Sequence, residues 1–256
     1  MILIPAGNAS AWTGPTGNNT YLLPGRTATL IDAGVGSPDH LDAIAQALQG
    51  VPLAQVLITH GHSDHVGGAP ALRARWPDLV VRQFGTGERP LVADERIAVG
   101  DDVCRVMHTP GHSPDHCCFV VGDQGGTEVF CGDLARLGGT IVIPASRGGD
   151  LAAYLESLRK VRALQPARLL PGHGPVVDNP ATLIDDYIEH RTLRDRQILR
   201  VLKGRRAMPA EIADRVYGRL PEQIRNAAAD TVLAHLIKLR DDGHVDEHDG
   251  AWAARS

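Results

Sequence analysis

Short apolar runs alternate with longer segments of helical periodicity through roughly the first 175 residues of the chain. Glycine and proline stand at most of the junctions between these segments, where a layered domain has to turn back on itself. The layout is typical of an α/β or α+β domain. The predicted strands are Tyr21–Leu23, Ala28–Asp32, Gln55–Thr59, Leu79–Arg82, Val103–His108, Cys117–Val121, Glu128–Cys131 and Arg168–Leu170, and the predicted helices are His40–Leu48, Gly68–Arg75 and Leu151–Leu164.

Helical periodicity dominates the chain after Pro180. A long amphipathic helix is predicted over Ala181–Lys203, followed by helices near Pro209–Tyr217 and Pro221–Asp241 and by a short segment at Gly243–Val245. Helices followed by a terminal two-stranded wing are the pattern of a winged-helix module. We therefore predict a layered domain over residues 1–178 and a small helical, winged-helix-like domain over residues 179–256.

The charge, the apolar stretches and the cysteines of the chain limit the binding partners and the location that are expected. The chain has 256 residues, 43% of them hydrophobic, and a formal net charge of −4, which argues against a bulk electrostatic attachment to nucleic acid or to an anionic membrane. No apolar stretch reaches membrane-spanning length, so no membrane partner is expected. The four cysteines contain no C-x-x-C pair and are typical of small buried residues in a reducing compartment, which makes a cytoplasmic location the expectation.

The segment Thr59–His65 places four side chains that can bind metal directly after an apolar strand. His60 and His62 point the same way, because side chains alternate in direction along an extended segment. Asp64 and His65 follow at the start of the next predicted helix. The spacing therefore offers two ligands to one ion and two to its neighbour. Imidazole and carboxylate ligands favour zinc, and less decisively iron or manganese.

Three later strand ends carry further candidate ligands. His112, Asp133 and His173 each follow an apolar strand and a small residue, and each stands beside a turn. Strand ends converge on one rim of a sheet, so residues that are distant in sequence can meet there. The pattern predicts one centre built from four strand ends.

These motifs resemble the metallo-β-lactamase superfamily. The resemblance rests on the T-H-x-H-x-D-H segment, His112, the Gly-Asp at 132–133 and the Gly-His at 172–173, and it extends over the first 175 residues. It implies an αββα sandwich, a fold of the α+β class, with the site at one sheet edge. It also implies a pair of ions, expected to be two Zn²⁺, of which one is held by His60, His62 and His112, the other by Asp64, His65 and His173, with Asp133 bridging them.

Two details refine the resemblance. Many true β-lactamases have a cysteine at the second metal where Asp133 stands here, and the aspartate resembles the thioesterase, lactonase and nuclease branches instead. The segments Gly14–Tyr21 and Tyr187–Arg191, together with the terminal helical module, are similar to the β-lactamase-like endoribonuclease subgroup. That subgroup carries a winged-helix-like C-terminal domain and cleaves single-stranded RNA.

The expected activity is dinuclear metal-dependent hydrolysis by a metal-bridging hydroxide. The expected substrates are a phosphodiester, including single-stranded RNA, or a small-molecule ester or thioester. Asp64 is the predicted catalytic residue, which orients the hydroxide through its uncoordinated oxygen. His116 is a weak candidate for a general acid and is expected to be structural. The basic residues between Arg191 and Arg206 have two interpretations, a solvated surface or, for some of them, contacts to phosphate.

Two other classes remain open at this point. One is an oxidoreductase with a single iron, similar to the persulfide dioxygenases, against which the complete second-metal set argues. The other is a nucleic-acid-binding regulator with a vestigial metal site. Residues 181–256 contain 13 Lys and Arg and 13 Asp and Glu, and this neutral balance weighs against that regulator. The sequence leaves the oligomeric state open.

Overall fold

A computed structural model describes residues 1–122, 126–218 and 220–255 of the chain. Two five-stranded sheets pack face to face, helices cover their outer faces, and a smaller helical module with a three-stranded sheet follows. The predicted αββα sandwich with a winged-helix-like C-terminal domain is confirmed. None of the helices in the described ranges combines the length and the apolar character that crossing a membrane requires.

The strands of the two large sheets are β1 Ile2–Pro5, β2 Asn19–Leu23, β3 Thr29–Ile31, β4 Gln55–Leu57, β5 Val80–Arg82, β6 Arg96–Val99, β7 Asp102–His108, β8 Cys117–Val121, β9 Glu128–Gly132 and β10 Arg168–Pro171. The first sheet has the order β1-β2-β3-β4-β5, antiparallel from β1 to β3 and parallel from β3 to β5. The second has the order β10-β9-β8-β7-β6 and is antiparallel except between β9 and β10.

The helices of the sandwich are α1 Pro38–Leu48, α2 Ser63–Val66, α3 Ala69–Arg75 and α4 Leu151–Ala163, followed by the long helix α5 Pro180–Leu202. The C-terminal module adds β11 Arg206–Ala207, α6 Pro209–Tyr217, α7 Glu222–Asp241, β12 Val245–His248 and β13 Ala251–Ala254. Its sheet has three strands where the sequence predicted two, because the short β11 pairs with β13.

Each of the eight predicted strands corresponds to a strand of the structure, but two ends differ for a physical reason. β4 ends at Leu57 rather than Thr59, whose backbone N–H donates to the Asp32 carboxylate instead of to a neighbouring strand. β3 ends at Ile31 because Asp32 has a positive φ of 61°. Strands β1 and β6 were not predicted. Both have four residues and are partly exposed, so their apolar signal is weak.

Three apolar layers hold the sandwich together, and the alternation of side chains along the strands produces them. Leu22, Leu30 and Val56 face the helices α1 and α3, whereas Tyr21, Ile31 and Leu57 face the second sheet. The second sheet likewise turns one face inward and packs the other against α4 and the start of α5.

Helix α5 belongs to two cores. Its first half contributes Ile184 and Tyr187 to the cluster outside the second sheet, and its second half contributes Ile198 and Leu202 to the core of the C-terminal module. The domain boundary between residues 178 and 179 stays a prediction, because this helix packs on both sides of it.

Ile198 provides a test of this arrangement. It is fully buried in the C-terminal core, so Ile198→Ala should leave a cavity and lower the free energy of unfolding by about 2–5 kcal/mol. Leu193→Ala is the matched control, since Leu193 lies on the same helix and is 47% exposed, and should change it by at most about 0.5 kcal/mol. Urea denaturation measures both; equal losses would contradict the packing described.

Candidate metal centre

The structure brings all seven predicted ligands to one edge of the sandwich. His60 and His62 lie just after β4, and Asp64 and His65 lie in α2. The remaining three, His112, Asp133 and His173, follow β7, β9 and β10 of the second sheet. The two sheets thus contribute opposite sides of a single centre.

The close approach of these strand ends depends on a glycine. A Cβ atom on Gly172 would lie 2.6 Å from Cε1 of His65, which is closer than real Cβ contacts. Any larger residue at position 172 would displace the ring of His65.

Three histidines form the first donor set. Nδ1 of His62 lies 3.0 Å from Nε2 of His60 and 2.9 Å from Nε2 of His112. His60 is fully buried and His112 nearly so. Nitrogen atoms of three rings converge on one point, as a set of ligands to one cation must.

The second donor set consists of Asp64, His65 and His173. Oδ2 of Asp64 lies 3.6 Å from Nε2 of His65 and 3.4 Å from Nε2 of His173. His65 and His173 are buried, whereas the Asp64 side chain is 29% exposed.

Asp133 offers one carboxylate oxygen to each set. Its Oδ2 lies 3.5 Å from Nε2 of His112 in the first set, and its Oδ1 lies 3.5 Å from Nε2 of His65 and 3.3 Å from Nε2 of His173 in the second. This is the position that a bridging ligand between two cations requires.

The donor set fits a pair of divalent cations. Neighbouring ligand atoms around a tetrahedral zinc ion lie roughly 3.4 Å apart, given bonds of about 2.1 Å. Nδ1 of His62 lies 2.9–3.0 Å from its two partners, and Oδ2 of Asp64 lies 3.4–3.6 Å from its two partners. Nε2 of His65 and Oδ1 of Asp133 are buried and have no hydrogen-bond partner among the described residues. Buried polar atoms are seldom left unpaired, and coordination to a cation accounts for both.

The pKa shifts at the site favour the protonation states that metal binding needs. Burial, reinforced by neighbouring imidazoles, lowers the pKa of His60 well below its ordinary value and that of His62 to about 4. Burial also lowers the pKa of His112. Burial raises the pKa of the Asp64 carboxyl, but hydrogen bonding to His173 and the charge of His65 outweigh it, so the net shift is downward. These shifts favour neutral imidazoles in the first set and an ionised carboxylate at Asp64.

His65 differs from the other histidines. Burial lowers its pKa, but attraction to Asp32 and Asp133 outweighs burial and raises the pKa to about 9. Its Nδ1 donates to Oδ2 of Asp32 at 2.7 Å, which leaves Nε2 as the ligand atom. Cation binding at Nε2 therefore displaces a proton.

Asp32 is the supporting residue that the sequence did not identify. Its carboxylate accepts hydrogen bonds from the backbone N–H of Thr59 at 2.8 Å, from the Thr59 hydroxyl and from His65. Thr59 Oγ1 in turn lies 3.1 Å from Nδ1 of His60, so one carboxylate orients a ligand of each set. The signal in the sequence was a polar residue at the end of a predicted strand, which is also what an ordinary turn provides.

Two further contacts orient ligands. Nδ1 of His112 donates to the carbonyl oxygen of Val142 at 2.7 Å, which directs its Nε2 into the site. The Asn18 side chain donates to Oδ2 of Asp64 at 3.2 Å. Asn18 lies in the segment whose resemblance to the endoribonuclease subgroup was noted, but the sequence assigned it no role.

His116 is a structural residue. Its Nδ1 lies 3.1 Å from the carbonyl oxygen of Thr109, to which it donates, and its Nε2 accepts from the backbone N–H of Asp133 at 3.2 Å. Both ring nitrogens have partners within the protein, so the ring holds Asp133 in place. Burial lowers the pKa of His116 to about 3, so the ring carries no additional proton that it could donate to a substrate.

An αββα sandwich with seven candidate histidine and aspartate ligands in two joined sets defines the class of protein. Residues 13–83 and 84–173 match the metallo-β-lactamase superfamily, and residues 209–252 match the β-lactamase-associated winged helix domain. The chain belongs to the metallo-β-lactamase superfamily.

One relative and two solved structures illustrate the likeness. The lactamase-like protein nscB of Arthroderma gypseum is 34% identical over 252 residues, which cover 90% of this chain and 78% of that protein. The crystal structure of the metallo-β-lactamase family protein TTHA1429 from Thermus thermophilus has a TM-score of 0.81 at 22% identity and covers 99% of this chain and 98% of its own. TTHA1623, solved in a di-iron-bound form, is 32% identical with a TM-score of 0.56 over 68% of this chain and 95% of its own.

Asp32→Asn tests the supporting role of Asp32. An amide at position 32 cannot accept all three hydrogen bonds, and it removes the negative charge that faces His65. The affinity for zinc should therefore fall about 10- to 100-fold. Competition with a chromogenic chelator measures the affinity. Asp101→Asn is the control, because Asp101 is an exposed carboxylate that pairs with Arg26 on the surface. Unchanged affinity in Asp32→Asn, with circular dichroism as in the parent, would refute the role.

Proposed function

We propose that the protein is a dinuclear metal-dependent hydrolase. The observation that carries the proposal is the pair of donor sets that share Asp133. These residues would hold two divalent cations, which would supply a nucleophile near neutral pH by lowering the pKa of a bound water molecule. Superfamily membership supports the reaction class, and the complete second set favours two cations over one.

Zinc is the metal that we propose for both sites. Histidine nitrogens and carboxylate oxygens without a cysteine suit zinc, and they also suit iron and manganese. The di-iron form of TTHA1623 supports a two-metal centre and makes iron the main alternative.

Asp64 is the residue that we propose to orient the attacking water. Its Oδ2 is shared among Asn18, His65 and His173, so Oδ1 is left to accept a hydrogen bond. Asp64 is also more exposed than His65 and His173, the two other residues of its set. The pKa of its carboxyl lies below the ordinary value, so the group is ionised as this role requires.

An ester or thioester of a small organic acid is the substrate class that the surroundings of the centre favour. The backbone carbonyl that orients His112 belongs to Val142, which also lines a cavity with largely apolar walls between the sandwich and the C-terminal module. A polyanion such as single-stranded RNA would need a basic surface, whereas residues 181–256 carry 13 basic and 13 acidic residues. RNA is the alternative substrate that the test includes.

Metal quantification followed by a hydrolysis panel tests the proposal. We expect two zinc ions per chain and turnover of a thioester or ester, with less or none of a phosphodiester, single-stranded RNA, a lactone or a β-lactam. RNA as the preferred substrate would overturn the substrate class. One iron per chain with oxygen uptake would replace the hydrolase by a persulfide dioxygenase-like oxidoreductase, and salt-dependent duplex binding without turnover would favour a regulator.

Asp64→Asn tests the catalytic assignment. Losing the carboxylate that orients water should reduce kcat on the preferred substrate by about 100-fold or more. Circular dichroism should stay unchanged, because Asp64 is partly exposed at the rim of the fold. Asp39→Asn, an exposed aspartate in the first turn of α1, is the matched control and should keep full activity. Turnover retained in Asp64→Asn would reject its role.

A further inference from the structure

A second candidate site lies beside the metal centre. A cavity of about 750 Å³ opens between the segment 136–142 of the sandwich, helix α5 and helix α7 of the C-terminal module. This volume falls in the range of small-molecule binding sites. None of the seven candidate metal ligands lines it, but its wall includes Val142, whose carbonyl oxygen accepts from His112.

The walls combine apolar surface with aromatic rings. Ile141, Leu183, Ile224 and Ala228 supply aliphatic surface, and the rings of Trp12 and Tyr217 stand at the sides. Trp12 is 51% exposed, an unusual exposure for so large an apolar side chain. Such walls fit an apolar ligand that covers them.

Three arginines line the same cavity without a carboxylate partner. Arg136, Arg191 and Arg194 form no ion pair within 4.0 Å among the described residues. Exposed arginines such as Arg26, Arg75 and Arg225, in contrast, each pair with a carboxylate. The Nε–H donor of each of the three is buried and has no acceptor in the described part of the chain. The same kind of unpaired buried atom marks the candidate metal centre, at His65 and Asp133. An acceptor brought by a ligand would supply the missing partner once a guanidinium group turns toward the cavity.

The charges facing the cavity leave it positive. Asp186 is the acidic residue on the wall, and its side chain is exposed. His190 also lines the cavity, and burial, aided by Arg191 and Arg194, lowers its pKa, so it adds no charge near neutral pH. Three guanidinium groups against one exposed carboxylate favour an anionic group in the ligand.

The three arginines have different local contacts. Arg191 is fully buried and donates to Thr140 Oγ1 and to the carbonyl oxygen of Ile141, so it holds the segment that orients His112. Arg194 is half-buried, stacks on Tyr217 with its Cζ 4.1 Å from the ring centroid, and donates to Gln197. Arg136 donates to the carbonyl oxygen of Trp12. Arg194 and Arg136 are therefore the two that can turn toward a ligand without releasing the metal centre.

We propose that this cavity binds the non-reacting part of the substrate, an apolar acyl group that carries a carboxylate or phosphate remote from the scissile bond and pairs it with Arg194 and Arg136. The proposal rests on the hydrolase function for the identity of the ligand as substrate. Binding energy from this remote part would be used to position the scissile bond at the metal centre. Arg191 acts as a positioning residue between the two sites.

Direct binding to the zinc-loaded protein tests the cavity without turnover. The probes are 2-naphthoate, 1-naphthyl phosphate and neutral 2-naphthalenemethanol, measured by isothermal titration calorimetry. We expect saturable binding of at least one anionic probe, at least about tenfold tighter than the neutral one. Tighter binding of naphthoate identifies a carboxylate as the anionic group, and tighter binding of the phosphate identifies a phosphate. No saturable binding of either anion would overturn the proposal.

Variants locate the bound anion. Arg194→Met should weaken the anionic probe at least about tenfold and leave the neutral probe unchanged, and Arg194→Lys should restore part of the loss. Ala228→Trp should fill the cavity and remove binding of all probes. Arg200→Met, an exposed arginine of α5 outside the cavity, is the control and should have no effect. Because Arg194 stacks on Tyr217, thermal unfolding of each variant verifies the fold.

The outcomes separate this proposal from the hydrolase function. Anion binding that neither Arg194→Met nor Ala228→Trp weakens would be binding to the zinc ions and would overturn the cavity. Arg194-dependent binding in a protein that hydrolyses nothing on the panel would support the cavity and reject the hydrolase. Ester hydrolysis without anion binding would support the hydrolase and reject the cavity.

Discussion

The buried carboxylate of Asp32 is the interaction on which the candidate centre depends. It ties the end of β3 to the end of β4 through the backbone N–H and hydroxyl of Thr59, and to α2 through His65. A buried carboxylate costs several kcal/mol unless donors compensate it. The positive φ of Asp32 turns its side chain back toward these three donors. The segment Thr59–His65 is held in one conformation as a result, and its four ligands are oriented before a cation binds.

The rest of the centre depends on how the two sheets are joined. The Tyr21 hydroxyl and the Asn19 amide of β2 both donate to the carbonyl oxygen of Pro171 at the end of β10, and the Tyr21 ring packs edge-on against Phe130 of β9. The backbone N–H of Cys117, at the start of β8, donates to the carbonyl oxygen of Thr59. Each contact crosses from the first sheet to the second near the ligands. The contacts that join the two sheets therefore also bring the two donor sets together.

The sequence predicted the direct ligands because their signal is local. A histidine or aspartate directly after an apolar strand stands out within a few residues, and His60 to His65 supply four in one segment. Asp32 did not stand out, because its partners lie 27 and 33 residues away and only the fold places them beside it. Arg191 shows the same limit. It belongs to a run of basic residues typical of a solvated helix, yet it is buried and donates to the segment beside the centre. Charge pattern alone does not tell which member of such a run faces inward.

Helix α5 connects the C-terminal module to the surroundings of the candidate centre. Its first half packs against the sandwich, its second half forms part of the C-terminal core, and Arg191 between them reaches the segment that orients His112. The donor sets resemble those of superfamily branches with different substrates, so these ligands alone leave the substrate unspecified. Selectivity has to come from residues beyond the ligands. The cavity walls formed by α5, α7 and the segment 136–142 offer such residues, and hydrogen bonds from Arg191 to Thr140 and Ile141 connect them to the segment that orients His112.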